Sequence, residues 1–130
     1  MADDARKDDP TIQDHDRLLR RVQELHLHYE PDGSRRLSSA AFKTTELSVN
    51  IESLMIEQGR PPEDTIWNYP NDYLTSITAA SVREYGYPII KDTEPPNDPA
   101  HGLVLGKKKE SFANAMARQH RWIKAPPAKR

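Results

Sequence analysis

Two proline-rich stretches, RPPEDTIWNYPNDY at 60–73 and TEPPNDPA at 93–100, set the hardest limit on what this chain can fold into. Proline lacks a backbone donor and clashes with the preceding helical turn, so neither a helix interior nor a central strand passes through either stretch. The 130 residues are thereby divided into short elements joined by two long surface loops. That length holds one domain. Only 35% of residues are apolar while 30% are charged, which predicts a small core with polar ends.

Between the breaks, hydrophobic spacing assigns the elements. Thr11 and Asp14 form a weak capping box, and Leu18, Leu19 and Val22 make one stripe at helical spacing, which predicts a helix over 12–23. Leu25, Leu27 and Tyr29 then alternate with His26, His28 and Glu30, the pattern of a half-buried strand with its imidazoles outward. PDGS at 31–34 reverses the chain, so that Arg35–Ser39 returns as the second arm of a hairpin. LSV at 47–49 favours a strand and IESLMIEQ a helix ended by Gly59. The first proline-rich stretch reads as a surface loop pinned by Trp67 and Tyr69, a candidate lid.

LTSITAASVREYG predicts a further helix capped by Gly86, followed by an extended YPIIKD. GLVLG reads as an interior strand with His101 at its mouth, and Phe112, Met116 and Ile123 stripe a closing helix. The fold class expected is α+β: a single small domain with a mostly antiparallel sheet of about four strands packed by two to four helices. Residues 1–10 are expected to be a disordered acidic N-terminus, 11–123 the domain, and 124–130 a flexible basic tail.

Composition excludes several kinds of chemistry. With no cysteine, disulfides, thiolate metal sites and cysteine nucleophiles are absent together, which suits a reducing cytoplasm. No stretch approaches the roughly 20 apolar residues needed to span a bilayer, and the N-terminus carries no apolar leader. The net charge of −1 conceals an acidic start, Asp3 to Asp16, and a basic end from Lys107 to Arg130. Such an end can meet phosphate, or the acidic head of its own chain.

Taken together, these segments resemble a family of small bacterial proteins that carry a histidine before a turn, then an SS-x-AF element, an LSV element and, late in the chain, a P-x-H-A element opening a strand. The matching residues are His26 or His28, SSAAF at 38–42, LSV at 47–49 and DPAHGLV at 98–104, with Gly102 in place of alanine. The likeness spans residues 17–123. It implies one compact domain and supplies no mechanism.

Three constellations carry chemistry. His26, His28 and Glu30 on one strand face have the alternate spacing that can grip a metal, but only the distant His101 offers a further ligand; no metal and no cofactor are assigned. His28, Arg36, Ser38, Ser39 and His101 combine a base, a cation for developing negative charge, hydroxyls and a second imidazole, a set suited to metal-independent work on a phosphodiester or nucleotide-like substrate. Lys109, Arg118, Arg121 and Trp122 would offer phosphate contacts and a stacking ring on a C-terminal helix, or a surface for a protein partner. No nucleophile elbow, phosphate loop or HExxH helix accompanies them. The leading expectation is accordingly a small cytoplasmic interaction or accessory module with a protein partner, with the His/Arg/Ser enzyme and the nucleic-acid binder as alternatives, and no membrane association.

Overall fold

The computed structural model describes residues 6–127. In chain order the elements are β1 (Arg17–Val22), a 3₁₀ turn (Glu24–His26), β2 (Leu27–Tyr29), β3 (Arg35–Leu37), a second 3₁₀ turn (Ser39–Phe42) and β4 (Glu46–Ile51). There follow α1 (Glu52–Glu57), a third 3₁₀ turn (Pro62–Ile66), β5 (Tyr73–Thr78), α2 (Ala79–Glu84), β6 (Ile89–Lys91), β7 (His101–Leu105), α3 (Glu110–Gln119) and β8 (Arg121–Lys124). Six strands form one antiparallel sheet in the order β6-β7-β4-β1-β5-β8, and β2 and β3 form a separate hairpin.

The expected α+β class with a mostly antiparallel sheet and three helices is present, but the expectation of about four strands is too low. Two segments with helical-looking spacing are strands. RLLRRV lies mid-sheet with both faces covered: Leu18 and Val22 enter the main core, whereas Leu19 enters a second cluster on the other side. A strand buried on both faces loses the simple alternation that marks a half-buried one, so its leucines mimic a helical stripe. The same holds for β5, where Leu74 and Ile77 belong to opposite clusters; helix begins only at Ala79, behind the Thr78 side-chain cap on Ser81 N. At the C-terminus the helix stops at Gln119. His120 turns extended and Arg121–Lys124 adds an edge strand to β5.

The main core lies on one face of the sheet, where Leu47, Val49, Ile51 and Val104 meet Phe42, Phe112 and Met116 from the second 3₁₀ turn and α3. The opposite face has two smaller apolar clusters, one of Leu19, Met55, Ile66, Leu74 and Ala100 and one of Ile90, Leu103 and Leu105. The hairpin reverses through Gly33, whose φ of 88° is the left-handed conformation the PDGS turn requires. Its register pairs Leu27 with Leu37 and His28 with Arg36. The alternation expected for 25–29 holds only at Leu27 and His28, one buried and one exposed: Leu25 and Tyr29 are exposed, and His26 closes a 3₁₀ turn.

Gly102 faces the main core at a close approach of strands. A Cβ there would lie 2.8 Å from Ile51 Cδ1 and 2.9 Å from the Ile90 carbonyl oxygen, so the space suits glycine and not alanine. Asp8 and Asp9, within the stretch expected to lack order, bond to Arg83 and to the backbone of Ile89. Arg83 also pairs with Asp14, so part of the acidic head meets a mid-chain arginine. Residues 1–5 and 128–130 lie outside the described residues. Among the described residues no helix is long and apolar enough to cross a membrane.

Candidate functional site

The residues singled out from sequence fall into separate places. His28, Arg36 and Ser39 line one surface cavity together with Asn114 and Arg118, so the hairpin, the second 3₁₀ turn and α3 bring part of the expected set together. Arg36 is paired with Glu30 at 2.7 Å. His28 is exposed, and no described residue orients its ring. Ser38 is buried and caps its turn by accepting from Ala40 N at 3.1 Å. His101 lines a different cavity, on the other face of the sheet. The two imidazoles expected to share a site therefore do not line a common cleft.

The C-terminal group is also dispersed. Lys109 precedes α3 and Arg118 lies in its last turn, about 13 Å apart along the axis at 1.5 Å per residue. Arg121 sits on β8, and Trp122 is partly buried, edge-on to His120 with ring centroids 4.7 Å apart. His26 accepts from Gln23 N through Nδ1, which turns it away from the face carrying His28. Among the described residues no group of three or more His, Asp or Glu side chains is placed to hold a metal ion.

The cavity containing His101 has the built character that the hairpin surface lacks. It encloses about 370 Å³ over β1, β4 and β7, between the two apolar clusters of the second face. Strand alternation places Ser48 and Asn50 of β4, Arg21 of β1 and His101 of β7 on that face. Strands β1 and β4 pair only at Leu18–Ile51 and Leu19–Asn50 and then separate. Arg20 has the strand parity of Leu18 and Val22, so it rises from the main-core side and lines the cleft through this opening: Nε donates to the Ala41 carbonyl and Nη1 to the Ser48 carbonyl, both at 3.1 Å. One acceptor belongs to β4 where it parts from β1, and the other to the second 3₁₀ turn.

Among the described residues Arg20 has no carboxylate partner, and its Nη2 has no protein acceptor. Burial, with Arg21 beside it, brings its pKa down to about 10. The other charges of the cleft are balanced. Arg21 pairs with Asp72 at 2.9 Å and lies over the Tyr69 ring at 3.8 Å. Asp98 is gripped by Arg60 through two bonds of 2.9 and 2.7 Å, and that guanidinium holds its carboxyl below the usual range. The cleft thus carries one uncompensated positive charge, at Arg20.

His101 is oriented at the other side of the cleft. Its Nδ1 lies 3.2 Å from both the Asp92 carboxylate and the Asp92 carbonyl, while Asn97 Nδ2 donates to the same carboxylate at 3.1 Å. Backbone bonds from His101 N to Asp98 O and from Asp92 N to His101 O fix the strand mouth. With Nδ1 engaged, Nε2 is the ring nitrogen left for a ligand.

Three separate sequence elements converge here: Ser48 and Val49 from LSV, Asp98 and His101 from DPAHGLV, and SSAAF through the Ala41 carbonyl. Arg20 was missed because it sat inside an expected helix, where it reads as solvated. Asp92 gave no signal beyond a lone acidic residue ending YPIIKD. No protein-family model, no curated protein and no solved structure matches the chain.

Proposed function

We propose that this protein binds a small oxyanion-bearing ligand, a phosphate ester in the first instance, in the cleft of Arg20, Asn50 and His101. The observation that carries the reading is Arg20. A cation held in a partly buried gap without a counter-charge costs desolvation energy, and a ligand anion offsets it. A planar guanidinium with Nη2 free presents the geometry that recognises phosphate. Calorimetric titration with inorganic phosphate and ribose 5-phosphate tests this. Binding that weakens with salt and is lost in Arg20→Gln is expected; unchanged binding in that variant, or none in the wild-type chain, refutes the reading.

The Asp92–His101 pair favours a second, catalytic reading that replaces the expected partnership of His28 and His101. Nε2 would accept a proton from a water attacking phosphorus; as the P–O bond to water forms, the bond to the leaving alkoxide breaks, and that oxygen takes a proton from solvent. Asp92 steadies the imidazolium. Slow phosphodiester hydrolysis abolished by His101→Ala and reduced about tenfold or more by Asp92→Asn supports it. Equal rates in wild type and His101→Ala reject it. The interaction-module expectation predicts a stable protein partner, and the cleft chemistry does not require one.

A further inference from the structure

We infer that the ligand is a nucleotide unit, its phosphate in the Arg20 cleft and its base stacked on Trp67. The inference rests on the proposed oxyanion site and names what lies beyond it. The cleft adjoins a second cavity of about 340 Å³, the two sharing Thr65, Tyr69 and Asp98 as lining residues. That neighbour is lined by Trp67, which is 71% exposed although the adjoining Ile66 is 4% exposed. Single exposed apolar side chains are ordinary, as Leu25 and Ile56 show, so the ring matters here through its place on the wall of this cavity.

The third 3₁₀ turn fixes the backbone that carries the indole: Pro61 and Pro62 fix its start, Asp64 O accepts from Trp67 N at 3.3 Å, and Ile66 anchors the turn in the second-face cluster. The ring is therefore presented from a rigid support. Asn68 and Asp64 at the rim supply amide donors and carboxylate acceptors for the polar edge of a base, which a plain aryl ring would leave unused. Tyr69 lines both cavities, and Arg21 of the first lies over its ring at 3.8 Å. Phosphate contacts joined to a stacking ring form the chemistry by which proteins hold single nucleotides and single strands. A free nucleotide and one unit of a single strand share that chemistry.

The test is calorimetric titration of the full chain with ribose 5-phosphate, phenyl phosphate, AMP, UMP and a single-stranded tetranucleotide. AMP and UMP are expected to bind about tenfold tighter than ribose 5-phosphate, the scale of one base–aromatic stack. Trp67→Ala should erase that gain and leave ribose 5-phosphate binding unchanged; as an exposed side chain, Trp67 can be removed without disturbing the core. Nucleotides no tighter than ribose 5-phosphate, a gain that survives Trp67→Ala, or phenyl phosphate equal to AMP would each overturn the nucleotide inference and leave the oxyanion site standing. Absence of binding by every phosphate overturns both. A tetranucleotide tighter than UMP identifies a strand as the source, and one no tighter identifies a free nucleotide; either supports the inference.

Discussion

Arg20 shows how one side chain can serve structure and ligand at once. It closes the opening between β1 and β4 by bonding the Ser48 carbonyl of β4 and the Ala41 carbonyl of the second 3₁₀ turn, yet its charge stays unpaired among the described residues. Replacement by leucine removes the desolvated charge but strands the Ala41 and Ser48 acceptors. Since an unsatisfied buried acceptor costs about 1–3 kcal/mol, Arg20→Leu is expected to lose stability of about that size together with all phosphate binding. Chemical denaturation measures the first effect and calorimetry the second. Gly102 makes the opposite case, a residue chosen for what it lacks. An alanine Cβ would press on the Ile90 carbonyl and Ile51, and overpacking of this kind costs about 1–3 kcal/mol. Gly102→Ala should shift the denaturation midpoint accordingly, and an unshifted midpoint would mean that β6 yields freely.

At the scale of elements, polar side chains fasten what the small core cannot. Lys108 is buried, and its Nζ donates to the carbonyls of Thr44, Thr45, Val104 and Gly106 at 2.6–3.0 Å, tying the start of β4 to the end of β7. Lys108→Met leaves those oxygens without their shared donor. A loss of about 2–3 kcal/mol is expected, with faster amide exchange along β7 as the local readout. His120 joins the end of α3 to β5 through a 2.5 Å contact of Nδ1 with Thr75 Oγ1. Burial holds His120 below the ordinary imidazole range, and burial followed by the charges of Arg20 and Arg21 does the same for His26. Both take up a proton at lower pH in the folded chain than in the unfolded chain, where protonation falls near the ordinary value of 6.5. The unfolded state then binds more protons, so this contribution to stability is present above that pH and is lost as pH falls through the lowered folded values. The urea midpoint should drop between about pH 7.5 and about pH 5.5, with part of the drop removed in His120→Asn; a flat profile would contradict it.

For the whole molecule, the sheet divides labour between its faces. One carries the main core under α3, and the other splits its apolar cover into two clusters with the polar cleft between them. A ligand bound only by the folded chain raises the melting temperature with concentration, by about 2.7 kcal/mol of stability at a hundredfold excess over Kd. Ribose 5-phosphate should raise it in the wild-type chain and leave Arg20→Gln unmoved. Sequence by itself determined the hairpin turn at PDGS, the strand at LSV, the helix ending before Gly59, the β7 run behind His101 and the α+β class, because each is encoded by local φ preference or by a period that one covered face imposes. Tertiary structure alone decided that RLLRRV and LTSIT are strands, since burial on both faces erases the alternation that announces a strand. It alone also separated His28 from His101 and joined His101 to Arg20 and Asp92. Asp92 is near His101 along the chain, but Arg20 is far from both, and only the antiparallel packing of β4 against both β1 and β7 brings the strands that carry Arg20 and His101 to the same cleft.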